Sequence, residues 1–254
     1  MEGQHVNRLY RRLHEGHDLV YFSVKLKESD LAIGVDNSSY SDSLVSLCRQ
    51  ELIRIRAELE SYILLHPSFQ HSLEPIQLLP AASPLVKQMA DAARQAGVGP
   101  MAAVAGTVAQ AVGERLDLVV KSVIVENGGD IYLNGNQERV VAVYAGQSRF
   151  SHRIGIKVSV AEQPLGICTS SGTVGPSLSF GSADAVVIKG YPAALADAVA
   201  TRIGNLIHCE EDLGKAIETA QDIPGVTGVL AIKNDTMAAW GAMELVPIQR
   251  RNEQ

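Results

Sequence analysis

Apolar and polar positions in this chain follow two rhythms, a period of two and a period near 3.6, and each change of rhythm marks a new element. From Leu19 to Val35 two runs rich in β-branched and apolar residues flank a polar Lys27-Glu28-Ser29-Asp30 break, which predicts a β-hairpin. From Asp42 to His66, residues Leu44, Val45, Leu47, Cys48, Leu52, Ile55, Leu59 and Ile63 recur at helical spacing until Pro67, which predicts a long amphipathic helix. Ser83 as N-cap, Pro84 at the first helical position and Gly97 past the end frame a second helix. Met101 to Arg115 predicts a third. It is built almost wholly of Ala, Val, Gly and Thr, and side chains that small admit close neighbours, so it should be buried.

Val120 to Gly135 reads as a strand, an Asn127-Gly128-Gly129-Asp130 turn and a second strand, and Arg139 to Tyr144 is expected to return as the third strand of a meander. Further strands are predicted at Arg153 to Val160 and Ala183 to Lys189. Helices follow at Ala193 to Ile207 and Glu210 to Gln221, and the last strands at Val226 to Lys233, Thr236 to Trp240 and Met243 to Val246. The order helix, strand, Asn-containing turn, strand occurs twice, as a weak internal duplication of a helix-plus-meander unit. Neighbouring strands with interspersed helices predict an α+β fold with helices over mostly antiparallel sheet. One domain over residues 1–254 is expected, with hairpin and helices in 1–96 and the motif-bearing core in 97–246.

Composition narrows the classes. With 254 residues, 46% hydrophobic and 20% charged, the chain is expected to bury a sizeable core. A net charge of -6, with no run of Lys and Arg longer than the Arg11-Arg12 pair, argues against nucleic acid as a partner. No apolar stretch reaches the roughly 18–20 residues of a membrane span, and Met1 to Asp18 is polar, so no membrane partner and a cytoplasmic address are expected. Cys48, Cys168 and Cys209 lie far apart without a C-x-x-C, so reduced thiols packed in the interior are expected of each. Trp240, the sole tryptophan, is expected in the core.

Three segments carry candidate chemistry. Cys168 to Gly181, CTSSGTVGPSLSFG, offers hydroxyls and glycine-freed amides suited to phosphate oxygens, with a Gly/Ser surface loop as the alternative. It has neither the Lys of a P-loop nor a G-x-S-x-G elbow. On the helix carrying LADAVAT, Asp197 and Thr201 form an i, i+4 pair on a face of short side chains shared with Gly204 and Asn205. Something is expected to pack or dock there, and a carboxylate beside a hydroxyl suits Mg²⁺. Asn127-Gly128-Gly129-Asp130 is a turn signal, and its glycines would also let a ligand lie against the backbone.

Taken in order, these segments resemble the ApbE flavin transferases. Ser122 to Gly135 resembles the family's NxGGDI strand-turn, Cys168 to Gly172 its threonine-serine-glycine loop, and ADAVATRIG from Ala196 its ADALAT helix. GVGPMAAVAG stands where that family has a Lys-Gly helix start, with Pro100-Met101 in place of the Lys. The resemblance spans roughly Gly97 to Gly241, while Met1 to Leu85 carries no matched motif. It implies an α+β fold binding FAD or a related nucleotide through Asn127, Gly128, Gly129, Asp130, Thr169, Ser170, Ser171, Gly172 and Thr173. It also implies Mg²⁺ on Asp197, Thr201 and a backbone carbonyl near Pro100, with FMN transferred from FAD to a protein acceptor. The family's His-x-x-Asp-Pro-x-x-Gly segment has no counterpart here, so catalytic residues are unassigned, and the chain looks closest to the cytoplasmic branch of ApbE-like proteins. A non-catalytic nucleotide-binding or carrier protein is the alternative, and a docking role for the Asp42 to His66 helix is a third.

Overall fold

The computed structural model describes residues 18–172 and 180–248. Strands β1 (Leu19–Leu26) and β2 (Ser29–Asp36) form the first hairpin. Helix α1 (Asp42–Leu65) starts where the Ser41 side chain accepts the Leu44 N–H, and the short α2 (Ser68–His71) follows. Helix α3 (Pro84–Ala96) starts at Ser83 and ends at Gly97, whose φ of 71° is the left-handed conformation that glycine adopts without penalty. The expected third helix splits in two, because Pro100–Ala103 winds as a tighter 3₁₀ turn before α4 (Val104–Asp117) begins.

Strands β3 (Val123–Asn127) and β4 (Asp130–Asn134) pair across the Gly128-Gly129 turn, as the alternation predicts. The third meander strand goes elsewhere. Residues Arg139–Ala142 (β5) leave this sheet and pair with β6 (Ile154–Val158) in a separate three-stranded sheet. Beside β4 stands β7 (Leu165–Ser170), with Ile131 opposite Ile167. The sequence does not announce β7, since Pro164 looks like a break and its Thr169-Ser170 end looks like loop. Alternation marks Val141 and Val143 as inward-facing on either sheet, so it leaves the partner of β5 open.

The chain continues through β8 (Ala185–Gly190), α5 (Ala193–Leu206), α6 (Asp212–Gln221), β9 (Val226–Lys233), β10 (Thr236–Gly241) and β11 (Glu244–Pro247). The large sheet has the order β1-β2-β3-β4-β7-β8-β9-β10 and the small one β11-β6-β5, with every neighbour antiparallel. The α+β class follows directly, and a helix leads into a strand–turn–strand unit twice, through α4-β3-β4 and α5-α6-β9-β10.

The large sheet is apolar on both faces, and period-two alternation divides its side chains between two cores. Val123, Val125, Val186, Ile188, Val229 and Ala231 join the helices, whereas Leu133, Ile167, Val187, Leu230 and Ile232 join Val141, Val143, Ile156 and Val158 of the small-sheet layer. Helix α4 lies over β3 and β4, α5 over β7 and β8, and α6 over β9 and β10. Glycines set the closest approaches. A Cβ on Gly106 would meet the Ala193 carbonyl oxygen at 2.5 Å, and one on Gly113 would meet the Tyr132 ring at 2.1 Å.

Two packing expectations fail. Trp240 is 38% exposed on β10, which is the edge strand of the large sheet among the described residues. Cys48 and Cys168 are buried, but Cys209 is exposed, with its thiol against the Asp212 carboxylate at the start of α6. Among the described residues no single helix is long and apolar enough to cross a membrane.

Candidate functional site

A cavity of about 660 Å³ opens between α1, α4, α5, the β3–β4 turn and the end of β7. Asn127, Gly128, Gly129, Asp130, Thr169, Ser170, Ser171, Asp197 and Thr201 all line it. The structure therefore brings together residues that lie far apart in sequence. Pairing of β4 with β7 puts the turn before β4 next to the end of β7, where the Asp130 carboxylate accepts the Thr169 N–H at 3.3 Å. The turn is tied to α4 as well, since Asn127 Nδ2 donates to the Ala105 carbonyl at 3.2 Å. Gly128 and Gly129, with φ of 71° and 113°, hold backbone that other residues rarely adopt.

Asp197 faces inward from α5, and its Oδ2 accepts the Gly106 N–H at 2.8 Å across the tight α4–α5 contact. Thr201 follows one turn later on the same face. What packs on that face of short side chains is backbone. Besides Gly106 against Ala193 and Asp197, a Cβ on Gly181 would sit 1.9 Å from the Gly204 carbonyl oxygen, and the Phe180 N–H donates to Asn205 Oδ1 at 2.9 Å.

Two of the expected residues stand apart from the cavity wall. Pro100 is buried in its 3₁₀ turn, while Met101, Val104 and Ala105 of the same segment reach the wall. Gly172 is exposed, and its N–H is used by the Ala183 carbonyl at 2.9 Å. Thr173 lies outside the described residues.

The electrostatics of the wall are unusual. Burial raises the Asp197 carboxyl well above the ordinary carboxylate range, and the charge of Asp130 raises it further, against the N–H groups of Gly106 and Ala105 that lower it. Burial likewise raises Asp130, opposed by the Cys168 thiol and the Thr169 N–H and reinforced by Glu126. Cys168, fully buried behind them, is pushed up by burial and by both carboxylates. No Lys, Arg or His among the described residues contributes a compensating charge to either aspartate. Two buried like-charged groups without a counter-ion are costly, and such an arrangement favours a bound cation or shared protons. Among the described residues no group of three or more His, Cys, Asp and Glu converges as metal ligands, so a cation here would rely on a carboxylate and neutral oxygens.

The opposite part of the wall was not visible in the sequence. Ile55, Leu59, Ile63, Val104, Val108, Ile131 and Val141 form an apolar flank, with Tyr144 beside it. Lys27, Glu28, Ser29, Arg56 and Glu60 form a charged flank from the β1–β2 turn and α1. In the sequence, Arg56 among Glu51, Glu58 and Glu60 reads as an ordinary solvated helix face.

Against known proteins, the family described as AbpE bacteria matches residues 11–234. That match begins well before the segments carrying the sequence motifs and takes in the β1–β2 hairpin and α1. A UPF0280 protein of Methanococcus aeolicus is 39% identical over 228 residues, covering 88% of this chain and 90% of that one. Another UPF0280 protein, from Methanocella arvoryzae, is 42% identical over 198 residues, covering 78% and 80%. Among solved structures, flavin transferase ApbE from Vibrio cholerae aligns with a TM-score of 0.56 at 14% identity, covering 88% of this chain and 97% of that one. The apbe protein from Thermotoga maritima aligns with the same TM-score at 11% identity and the same coverage. At such identities the likeness is one of fold. The family match over most of the sequence, relatives near 40% identity and a shared architecture lead to one conclusion: this chain belongs to the ApbE-like family.

Proposed function

We propose that the cavity binds a flavin nucleotide, FAD or a close relative, together with Mg²⁺, and that the protein transfers the FMN part to an acceptor hydroxyl in the cytoplasm. The observation that carries this proposal is the convergence of Asp197 and Thr201 with the Asn127–Asp130 turn and Thr169–Ser171 on one cavity. The donor set fits a hard divalent cation. Asp197 accepts the N–H groups of Gly106 and Ala105, and its carboxylate has further lone pairs for a cation, with the Thr201 hydroxyl and a backbone carbonyl near Pro100 as the other ligands; a cation offsets the buried charge shared with Asp130. When bound, the ion supplies charge neutralisation and polarisation of a diphosphate.

The chain's own residues do the rest. Gly128 and Gly129 let a phosphate or ring lie against the turn, and the hydroxyls of Thr169, Ser170 and Ser171 donate to phosphate oxygens. The apolar flank excludes water from the reacting groups and accepts a flat ring, and the volume is in the usual range of about 300–1,000 Å³ for small-molecule sites. In the transfer, an acceptor hydroxyl oxygen bonds to the FMN phosphorus, the bridging P–O bond breaks, AMP leaves with the bridging oxygen, and the hydroxyl proton passes to solvent. The Vibrio cholerae structure with this fold is named a flavin transferase, which supports the ligand class. Titration of FAD with and without MgCl₂ tests the binding, and mass spectrometry for AMP and FMN tests the reaction. Asp197→Ala should abolish Mg²⁺-dependent binding, and unchanged binding would refute the assignment.

A further inference from the structure

We infer that Lys27 and Arg56 form an anion clamp that takes a phosphate group of the cavity's ligand. Arg56 is held in place from below by helix α1, and its side chain is only 17% exposed. Nη1 donates to Ser29 Oγ at 2.8 Å, and Nη2 donates to Glu28 Oε2 at 2.5 Å and to Glu60 Oε1 at 2.9 Å. Nε is buried and has no hydrogen-bond acceptor among the described residues, so it is out of a ligand's reach. Nη1 stays anchored on Ser29, whereas Nη2, which meets both carboxylates beside the cavity, can exchange them for an oxyanion.

Its present carboxylate partners are replaceable. Glu28 is 83% exposed and Glu60 42%, so either can turn into water while the arginine stays. Exposed pairs of this kind contribute little, whereas a charge-assisted guanidinium–phosphate hydrogen bond is among the strong ones.

Lys27 provides an independent observation. It occupies the two-residue turn between Leu26 and Ser29 with a φ of 51°, where glycine or asparagine is the ordinary choice for folding. A lysine kept in that conformation at a cavity wall suggests that its charge matters there. Its Nζ lies 2.7 Å from Glu60 Oε2, so Glu60 serves as resting counter-ion to both cations.

The clamp rests on the cavity being a ligand site but not on the ligand being a flavin. The test therefore uses inorganic pyrophosphate in EDTA, titrated by calorimetry into the full chain. Wild type should bind, and Arg56→Gln should weaken binding roughly tenfold through loss of the guanidinium charge and its Nη2 hydrogen bond. Lys27→Gly should also weaken it while preserving or raising the melting temperature, because glycine relaxes the turn, a combination that a misfolded variant would not give. Glu60→Gln should tighten it by removing the competing carboxylate. Absence of binding in wild type, wild-type affinity in Arg56→Gln or Lys27→Gly, or weaker binding in Glu60→Gln overturns the clamp. If pyrophosphate binds as described and FAD does not, the clamp stands and the flavin assignment falls.

Discussion

Gly106→Ala and Gly214→Ala are the same substitution in two helices, and the structure requires opposite outcomes. On α6 a Cβ at position 214 meets nothing within 4 Å. Replacing this first-turn helical glycine recovers about 0.5–1 kcal/mol of backbone entropy. On α4 the same methyl would lie 2.5 Å from the Ala193 carbonyl oxygen and 2.8 Å from the Asp197 Cβ. Backbone cannot swing aside, so α4 and α5 must separate, and overpacking of this kind costs about 3 kcal/mol, the upper part of the usual range. Subtracting about 1 kcal/mol of helix propensity leaves a net loss of about 2 kcal/mol. For a chain of this size that lowers the melting temperature by about 4–8 °C, whereas Gly214→Ala raises it by about 1–4 °C. The separation also pulls the Gly106 N–H from Asp197, so any Mg²⁺-dependent stabilisation should shrink in Gly106→Ala alone. Differential scanning calorimetry in EDTA and in MgCl₂ reads both effects. A Gly106→Ala protein as stable as wild type would show that the α4–α5 contact is not the constraint described.

Asp197→Asn should raise stability in EDTA by about 1–2 kcal/mol, as it removes a buried carboxyl that must take up a proton on folding while keeping an acceptor for Gly106, and should erase the shift produced by MgCl₂; a lower melting temperature in EDTA would contradict the account of a carboxyl buried without a counter-ion. Asp36 is a depressed carboxyl, held at about 2 because hydrogen bonds from Ser38, the Lys121 N–H, Ser39 and the Ser122 N–H outweigh its burial. Its stabilising effect is present above the unfolded value near 4 and is lost as pH falls toward 2, so acid titration of stability should show about 1–2 kcal/mol less loss over that window in Asp36→Asn, after discounting for solvent screening. Trp240→Phe should change stability by less than about 0.5 kcal/mol, and the wild-type indole should be readily quenched by acrylamide; a blue, unquenched emission would place it in the interior against the structure.

Local signals in the sequence were enough to locate most elements. Ser41, Ser83, Pro84 and Gly97 mark helix ends through the physics of capping, and these signals need no knowledge of the rest of the chain. Likewise Asp197 and Thr201 share a helical face by geometry alone. Strand partners are different, because alternation says which side chains point inward but not which strand lies alongside. That is why the sequence pattern points to β4 as the neighbour of β5 and leaves β7, the strand that carries Thr169 and Ser170 to the cavity, unmarked. The charged flank stayed hidden for a related reason. Arg56 acquires its meaning only when the hairpin turn folds over α1 and places Ser29 and Glu28 on its guanidinium.

Walls drawn from positions as distant as Lys27 and Thr201 tie the cavity to the whole topology. No early fragment emerging during synthesis contains a usable pocket, and long-range pairings such as β4 with β7 must close first, which makes assembly slow compared with helical bundles. Once assembled, any occupant couples to global rather than local unfolding, so protease resistance and amide protection should rise together across the central strands when ligand is added.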